Sequence, residues 1–535
     1  MTVASRVLAL ALGLATLTHA TTRDAAAQAS DGAQGPLRKR TVYEDLQMFS
    51  QALNQIRVNH PDSVDTHELF MAAVEGMVRA ADPHSYVIPA VRLDTLKERQ
   101  LRDGKLHPVP VAFRYVGGTP VVVSVAPGSE AARQDILPGD ALVSIDGQPV
   151  RAESPMELEV TLAGPRHSRV TLGLERRRMD GTLARLERPL RRERVEEGTA
   201  VPAAFMIDQS TGYVRITTFA AEKVADDLRD VVRRLEDAGM TQLLLDLRDN
   251  GGGRVDQAAR IAGEFLPRGA VVYTMEGRKE EVTDTGRVSR SFWRSERRYP
   301  VVLLVNEGTA SASELLAGAL QDHDRALVVG RPTFGKALVM RGFPMTDGSV
   351  IVLVVGQART PCGRAIQRKY RDVSSRDYYR LAAAERDTVG RPACRTTGGR
   401  VVYGGGGIYP DVLLDEPAGP PHWLARLREL NVALEWVGGW VTANEGLVPT
   451  VEGLAASPTL PAAALTSFRA FAAEKGVGIP ADVDAELQRH LVSAVAYARF
   501  GDAGLYRVTA VTDPAVARAR EELGRAEALT PPQRD

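Results

Sequence analysis

The sequence predicts a multidomain α/β protein, and three observations support this prediction. Its 535 residues exceed the length that one hydrophobic core usually organises, so we expect about three or four domains. Short apolar strand patterns alternate with helical periodicity over residues 197–415, as in an α/β core. Residues 104–196 are rich in strand and turn signals, whereas residues 40–103 and 416–535 are mainly helical in pattern. The predicted order is an N-terminal helical segment, a β-rich domain, an α/β core and a helical C-terminal region.

The bulk composition favours a soluble globular protein without a strongly charged partner. Hydrophobic residues make up 44% of the chain and charged residues 25%. The 67 basic residues balance the 67 acidic residues, so the formal net charge is zero. Because a neutral chain has no general attraction to nucleic acid or to an anionic membrane, we expect neither as the main partner.

Residues 1–29 have the pattern of a secretory signal peptide. Arg6 supplies a positive charge, and the apolar stretch 7–17 is too short to span a bilayer, which takes about 20 helical residues. Small-residue sites favour cleavage after Ala27 or Ala29. We therefore expect an exported, periplasmic protein with no transmembrane segment in its mature chain. An uncleaved signal anchor is the alternative.

The chain contains two cysteines, Cys362 and Cys394. In an oxidising compartment an even number of cysteines permits a disulfide. A closed loop of about 32 residues would stabilise the fold by roughly 3–4 kcal/mol in the chain-entropy treatment. Two unpaired thiols are equally compatible with the sequence, so the pairing stays open at this point.

The N-terminal helical segment is predicted to contain two helices. Apolar residues recur at helical spacing over Val42–Ala81, and the stretch Asp62–Asp65 offers side chains that cap helix termini. The sequence Asp82–His84 contains a proline and interrupts the helical pattern.

The β-rich domain resembles a PDZ domain. Its predicted elements are the strands Val121–Val125, Ala141–Ile145 and Arg169–Leu174 and the helices Glu130–Gln134 and Met156–Ala163. The phrase PGSEAARQDILPGDALVSIDGQPV carries the resemblance, with a hairpin turn at its Asp-Gly. The resemblance implies a groove that takes an extended peptide, often a carboxyl terminus, as an added strand.

One loop departs from the PDZ pattern. The carboxylate-binding turn of PDZ domains is usually rich in glycine, whereas the segment 106–113 contains Pro108 and Pro110. Proline has no backbone N–H group to donate. We therefore expect this groove to hold a free carboxylate weakly or not at all. A PDZ fold that serves only as a structural clamp is the alternative.

Eight elements are predicted within the α/β core. The strands are Gly212–Ile216, Gln242–Leu247, Val301–Val305, Ala326–Val329 and Val350–Val355. The helices are Val224–Ala238, Gln257–Phe265 and Ser313–Gln321. In such a layout the loops at strand ends carry the chemistry.

Ser311 and Lys336 follow two of these strands and are the candidate catalytic pair. A serine hydroxyl needs a base to remove its proton, and a lysine serves when apolar surroundings lower its pKa. His323 is the nearest histidine in sequence, but it lies about 18 Å from Ser311 along the predicted helix. A surface lysine is the simpler interpretation of Lys336 taken alone.

Ser311 also fits a purely structural role. The stretch Ser311–Glu314 has the pattern of a capping box, in which a serine and a glutamate satisfy the first N–H groups of a helix. The two roles are compatible, since N–H groups at a helix start also stabilise an oxyanion. The glycine-rich run Asp246–Gly253 allows a close backbone approach. A phosphate-binding loop and a plain turn are the alternatives for that run, but it lacks the lysine and hydroxyl of a Walker motif.

Taken together, residues 40–415 resemble the carboxyl-terminal processing (tail-specific) peptidases. The motifs are DPHSYVIP, the PDZ segment, DLRDNGGG, ASASELLAGALQDHDRALVVGRPTFGK, TPCGRAIQ and GGGGIYPDV. The resemblance implies a Ser/Lys peptidase core over residues 197–415, with Ser311 as nucleophile and Lys336 as general base. It also implies that the backbone N–H groups of Ala312 and Gly253 stabilise the oxyanion.

Two positions depart from the family pattern. Met340 stands where the family usually has a glutamine that orients the lysine, and a methionine side chain donates no hydrogen bond. Cys362 stands where serine is common. We expect a serine endopeptidase that needs no metal or organic cofactor and cleaves unstructured or carboxyl-terminal protein segments. A catalytically impaired member that binds peptides through its PDZ and peptidase folds is the alternative.

Overall fold

The structure is a computed structural model, and its description covers most of the chain after residue 40. The described residues are 41–530, without the segments 89–94, 103–104, 117, 126–128, 153–154, 179–181, 193–198, 278–280, 291–294, 370–386 and 416–419. The predicted signal peptide, residues 1–29, lies outside the described residues. The chain divides into two compact units after Ala81.

The first unit contains two helices, as the apolar periodicity predicts. They are α1 (Val42–Asn59) and α2 (Thr66–Ala81). The Phe49 and Phe70 rings meet edge to face, with centroids 6.1 Å apart. Asp65 caps α2 by accepting the N–H of His67 at 2.7 Å, which confirms the predicted cap.

The second unit begins with a short strand and a helix, followed by the β-rich domain. The elements are β1 (Tyr86–Ile88), α3 (Thr95–Arg102), β2 (Val111–Val116), β3 (Thr119–Val125), α4 (Glu130–Arg133), β4 (Ala141–Ile145), β5 (Gln148–Pro149), α5 (Pro155–Leu162), β6 (Arg169–Arg177) and β7 (Leu183–Arg191). Strands β2, β3, β4, β6 and β7 form one antiparallel sheet in that order, and β5 extends it beside β4. Helix α5 packs beside the edge strand β2. This arrangement gives the domain a strand edge next to a helix.

The described part of the α/β core contains two large sheets and a short two-stranded sheet. Its elements are β8 (Ala203–Met206), β9 (Thr211–Arg215), α6 (Val224–Asp237), β10 (Gln242–Asp246), α7 (Val255–Ala262), β11 (Val271–Glu276), β12 (Val282–Arg287), β13 (Val301–Val305), α8 (Ala312–Asp322), β14 (Leu327–Gly330), β15 (Leu338–Pro344), β16 (Val350–Arg359), β17 (Ala393–Arg395), β18 (Val401–Tyr403) and β19 (Val412–Leu413). Six strands form the main sheet in the order β19-β14-β13-β10-β9-β8, and only β8 runs antiparallel to its neighbour. In the second sheet β16 pairs with β1, β11 and β15. The predicted α/β class is therefore confirmed.

The main sheet is covered on both faces, because its strands are apolar on both sides. Leu243 and Leu245 point into the core formed with α6, α7 and α8. Leu244 points the other way, into a core shared with Val516 and Leu523. The second covering layer therefore comes from the far C-terminal part of the chain.

The C-terminal region is helical, as predicted. Its helices are α9 (His422–Glu429), α10 (Val432–Ala443), α11 (Val451–Ala456), α12 (Ala462–Glu474), α13 (Asp484–Thr512), α14 (Pro514–Glu521) and α15 (Leu523–Glu527). Helices α14 and α15 form the layer over the main sheet. None of the described helices is long and apolar enough to cross a membrane.

The β-rich domain is docked on helix α10 and its neighbours. A side chain at Gly139 would place its Cβ 2.1 Å from the carbonyl oxygen of Leu434, so this contact requires glycine. Arg176 donates to the Thr442 hydroxyl at 3.3 Å, and Arg177 pairs with Glu474 at 2.8 Å. These contacts join the β-rich domain to the C-terminal helices through both close packing and polar bonds.

Cys362 and Cys394 form a disulfide. The bond settles the alternative that the sequence left open. It ties the segment after β16 to β17, next to the end of helix α8, where the carboxylate of Asp322 accepts the N–H of Cys362 at 3.0 Å.

Candidate active site

Three neighbouring parallel strands bring the candidate residues to one edge of the main sheet. The glycine-rich run follows β10, Ser311 follows β13, and Lys336 follows β14. The carboxyl ends of parallel strands meet at the same edge, which is where α/β proteins place their sites. The sheet order therefore explains how segments far apart in sequence meet.

Ser311 lies at the start of helix α8 in an unusual backbone conformation. Its φ of 59° and ψ of −119° are rare for a residue with a side chain. Glu314 accepts the N–H of Ser311 at 2.8 Å, so the predicted capping arrangement is present. The strained turn presents Ser311 directly before the first N–H groups of a helix, where a developing negative charge is stabilised.

The glycine-rich loop packs against this serine turn. A Cβ on Gly252 would lie 2.8 Å from the Cβ of Ser311 and 2.9 Å from the nitrogen of Ala312, so only glycine fits there. Gly252 donates its N–H to the Asn250 side chain at 2.9 Å. The N–H of Gly252 is therefore already used in a hydrogen bond within the protein. Gly253, with φ of 141°, is still the residue predicted to supply the second oxyanion donor.

Asn250 joins the loop to the start of helix α8. Its carbonyl oxygen accepts the N–H of Ala310 at 2.9 Å and the hydroxyl of Ser313 at 3.0 Å. Its side chain donates to the carbonyl oxygen of Ile216 at 3.0 Å. The residue is fully buried, so these bonds hold both loops in one arrangement.

The half-buried Lys336 precedes strand β15 in a segment held by its main chain. Glu314 accepts the N–H groups of Gly335 and Lys336, both at 2.8 Å. Gln367 accepts the N–H of Ala337 at 2.9 Å through its side-chain oxygen. The sequence left unanswered what positions the lysine without a glutamine at position 340. The structure shows a clamp on the backbone of residues 335–337.

Met340 lies within β15, paired with Val354 of β16. Its side chain has no N–H to donate to an amine or a carbonyl group. Glu314 and Gln367 bind backbone N–H groups of residues 335–337, so these bonds position the main chain at Lys336.

The Glu314 carboxylate links the two halves of the candidate site. One oxygen, Oε2, accepts the N–H of Ser311 and the N–H of Lys336. The other, Oε1, accepts the N–H of Gly335 and the hydroxyl of Thr333. Burial raises the pKa of this carboxyl to about 7, although its four hydrogen bonds act in the opposite direction. Sequence reasoning had given this residue only the role of a helix cap.

His84 is a further group near Lys336 that sequence reasoning missed. Burial lowers the pKa of its imidazole, Asp82 opposes this effect, and the Lys336 ammonium lowers the pKa further. The neighbouring Ser85 hydroxyl accepts the N–H of Val354 at 3.0 Å, which fastens this segment to β16. The motif DPHSYVIP was visible in the sequence, but nothing in its spacing predicted that it folds back to the lysine.

The comparisons with known proteins agree with this architecture. The sequence matches the family described as peptidase family S41 over residues 210–374, a range that includes Ser311 and Lys336. It matches the PDZ domain over residues 121–176, which confirms the PDZ resemblance. It is 30% identical to a carboxy-terminal-processing protease of Bartonella bacilliformis over 337 residues, which cover 62% of this chain and 74% of that protein. The chain belongs to the carboxy-terminal-processing peptidases of family S41.

Membership of this family makes the protein a serine peptidase. A second relative is carboxyl-terminal-processing peptidase 2 of the chloroplast of Arabidopsis thaliana, 33% identical over 57% of this chain. That match spans 60% of the Arabidopsis protein, less than two thirds of its length. Among solved structures, a photosystem II D1 C-terminal processing protease aligns with 75% of this chain and 99% of its own, at 23% identity and a TM-score of 0.35.

Proposed function

We propose that this protein is an exported serine endopeptidase that uses Ser311 and Lys336 as a catalytic dyad. Its substrates are unstructured or carboxyl-terminal segments of proteins, cleaved through an acyl-enzyme intermediate. The observation that supports the dyad best is the shared acceptor Oε2 of Glu314, which binds the N–H groups of both residues. One carboxylate oxygen in contact with both amides requires the two backbone segments to be neighbours.

The proposed reaction follows from the chemistry of these groups. The Oγ of Ser311 attacks the substrate carbonyl carbon while the neutral amine of Lys336 takes the hydroxyl proton. The N–H groups of Ala312 and Gly253 stabilise the resulting oxyanion. The protonated amine then gives its proton to the leaving nitrogen, and the peptide bond breaks to leave an ester on Ser311. Water, activated by the same amine, hydrolyses the ester and restores the hydroxyl.

The proposed export is supported by the disulfide as well as by the signal-peptide pattern. Disulfides form and persist in oxidising compartments such as the bacterial periplasm and are rare in the cytosol. The pair Cys362 and Cys394 is bonded in this fold, as such a compartment allows.

Replacing the nucleophile tests the dyad. We expect the Ser311→Ala variant to lose at least about 1,000-fold in kcat against an unfolded protein substrate, because the acyl-enzyme can no longer form. Ser493→Ala is a matched control, since that hydroxyl donates to the carbonyl oxygen of Arg489 within helix α13. Full activity in the Ser311→Ala variant would refute the nucleophile assignment.

The catalytically impaired alternative is favoured by Met340, which replaces the glutamine expected near Lys336. A serine-directed phosphonate followed by intact mass spectrometry separates the two functions. An adduct on Ser311 together with turnover supports the peptidase. Peptide binding without an adduct and without turnover would instead identify a binding protein.

A further inference from the structure

The PDZ domain has a loop at the end of its groove whose hydrogen-bonding groups are already committed. This loop, residues 105–110, connects α3 to the edge strand β2. The N–H groups of Lys105 and Leu106 both donate to the carbonyl oxygen of Gln100, at 2.7 and 3.1 Å. They therefore close the end of α3 and do not point to a ligand.

His107, the next residue, joins this loop to the segment that follows helix α5 on the other side of the groove. The N–H of His107 donates to the carbonyl oxygen of Gly164 at 2.8 Å, and the N–H of Gly164 donates back to His107 at 3.1 Å. Gly164 follows the end of α5, the helix that packs beside β2. This two-bond bridge connects the two sides of the groove through the backbone groups that a carboxylate would otherwise use.

The rest of the loop offers a single amide. Pro108 and Pro110 carry no N–H group. Val109 lies between them, with a side chain that is 5% exposed and packed in the domain core. A backbone site for a carboxylate needs several successive N–H groups that converge on one point. One amide between two prolines cannot provide that arrangement.

Arg192, which lies beside the His107–Gly164 bridge, does not replace the missing amides. Arg192 packs against Gly164, where an added Cβ would lie 2.6 Å from its Cδ. Its guanidinium donates to the carbonyl oxygens of Leu162 and Arg169, at 2.7 and 2.8 Å, and to the Ser168 hydroxyl at 3.1 Å. Its hydrogen bonds therefore serve the protein's own main chain and a serine.

The edge of β2 remains suited to an added strand. Among the described residues β2 pairs with β3 alone, so the main-chain groups of its other edge are available along residues 111–116. Ala112 and Arg114 are exposed, while Val111, Phe113 and Tyr115 pack on the domain core. An extended segment that pairs with this edge gains main-chain hydrogen bonds whether or not its chain ends there.

We propose that the PDZ groove binds extended internal segments of polypeptide and gives no preference to a free carboxyl terminus. The proposal rests on the proposed function, because it assigns to the groove the recruitment of substrate for cleavage at Ser311. The enzyme is then directed to unfolded stretches within proteins, including those whose C-terminal end is blocked.

Binding to the full-length Ser311→Ala protein tests this selectivity without turnover. The probes are two fluorescein-labelled decapeptides rich in valine and tyrosine, identical except that one ends in a carboxylate and the other in a carboxamide. We expect their Kd values from fluorescence anisotropy to differ by less than about fivefold, the most that an exposed cation such as Lys105 contributes. A photo-crosslinker in each peptide should label residues 111–116 or 155–162.

Three results would overturn the proposal. They are a preference of fivefold or more for the carboxylate, crosslinks outside the groove, and absence of binding by both peptides. In addition, the Pro108→Gly/Pro110→Gly variant restores two amides and should gain at least about fivefold in preference for the carboxylate. No gain would show that the prolines do not set the selectivity.

The outcome is distinguishable from a failure of the proposed function. If wild-type protein does not cleave or react with a phosphonate while the two peptides bind equally in the groove, the dyad fails and the groove inference stands. If Ser311 reacts and cleaves but the carboxylate peptide binds much more tightly, the dyad stands and the groove inference fails.

Discussion

Two regions of the peptidase core each bury a carboxylate completely, and they stabilise it in opposite ways. Asp246 ends strand β10 among arginines, whereas Glu314 lies in helix α8 among neutral backbone donors. The pKa of the first is held well below its usual range, and the pKa of the second rises to about 7. The comparison contrasts a carboxylate held by buried cations with a carboxylate that joins the two loops of the candidate site through neutral donors.

The Asp246 region is an ion-pair network across the sheet and the C-terminal helices. Burial alone would raise its pKa, but the guanidinium groups of Arg248 and Arg215 and a hydrogen bond from Tyr213 reverse the effect. Arg248 also pairs with Asp513 at 2.7 Å, and Arg215 lies over the Tyr506 ring at 4.6 Å. This network fastens β9 and β10 to helix α13 and the start of α14.

The Glu314 region lacks such compensation. Its partners are the N–H groups of Ser311, Gly335 and Lys336 and the Thr333 hydroxyl, all of them neutral. A cation would stabilise the ionised form of this carboxylate more strongly than neutral donors do. The main-chain donors, however, fix the positions of two loops. We infer that Glu314 is a positioning residue for Ser311 and Lys336.

The largest expected effect concerns stability at Asp246. The Asp246→Asn variant removes the fully buried charge partner that Arg215 and Arg248 share and leaves them with the more exposed Asp249 and Asp513. Loss of a buried partner typically costs about 3–5 kcal/mol. We expect a clear fall in the denaturation midpoint in urea, with kcat per folded molecule nearly unchanged. A variant as stable as wild type would show that the network contributes little to the fold.

The next effect concerns activity at Glu314. In the Glu314→Gln variant one carboxylate oxygen becomes an NH2 group, which cannot accept a hydrogen bond. If the NH2 group takes the place of Oε2, the bonds from Ser311 and Lys336 are lost; if it takes the place of Oε1, the bond from Gly335 is lost. We expect kcat to fall by about 10- to 100-fold with little change in KM, together with slower phosphonate labelling of Ser311. Rates are compared per folded molecule.

Glu264→Gln is the matched control for that variant. Glu264 is also a buried carboxylate of the core, but it binds Arg229 and Arg297 instead of the site loops. It should lower stability and leave the rate of labelling unchanged. Equal kcat values in both variants would contradict the positioning role of Glu314.

The smallest effect is the pH dependence of stability. The pKa of Glu314 is about 7 in the folded state and near 4.5 in the unfolded state, so the folded protein binds more protons between these values. Stability from this residue is therefore fully present below about pH 4.5 and is lost as the pH rises towards 7, by at most about 1.4 kcal/mol per pH unit. The pKa of Asp246 is lowered in the folded state, so the stability that this residue contributes is present at neutral pH and is lost only as the pH falls into the acidic range.

Unfolding of wild type and the Glu314→Gln variant between pH 5 and pH 8 measures this dependence. The stability of wild type relative to the variant should decrease as the pH rises, because glutamine does not ionise. A constant difference over that range would mean that Glu314 is already ionised at pH 5.

Much of the fold was predictable because its strands are continuous apolar runs. The strand Val301–Val305 was predicted with the bounds that the structure shows, since both of its faces are buried and every residue is apolar. Ser311 was predictable as the cap of α8 from the Ser-x-x-Glu pattern, because that pattern depends on local hydrogen bonds at the start of a helix. The family motifs then identified Ser311 and Lys336 as the candidate pair.

The remaining features depend on contacts between distant segments. Glu314 reaches the N–H of Lys336 because β13 and β14 are neighbours in the sheet. The capping pattern predicts the bond to Ser311 but not this second bond. The approach of His84 to Lys336 depends on pairing between β1 and β16. Leu244 packs with Val516, although one residue precedes Ser311 and Lys336 in the chain and the other follows them. The apolar periodicity of either segment does not predict which segment it packs against.

That covering layer also sets the order in which the enzyme is completed. Helices α14 and α15 emerge during synthesis long after the strands β10 and β13 that they cover. Until they arrive, Leu244, Val302 and Leu304 form an exposed apolar face, which chaperones bind and proteases attack. A nascent chain therefore carries the residues of its candidate site well before its main sheet is covered, and we expect full activity only after helices α14 and α15 have been made and packed.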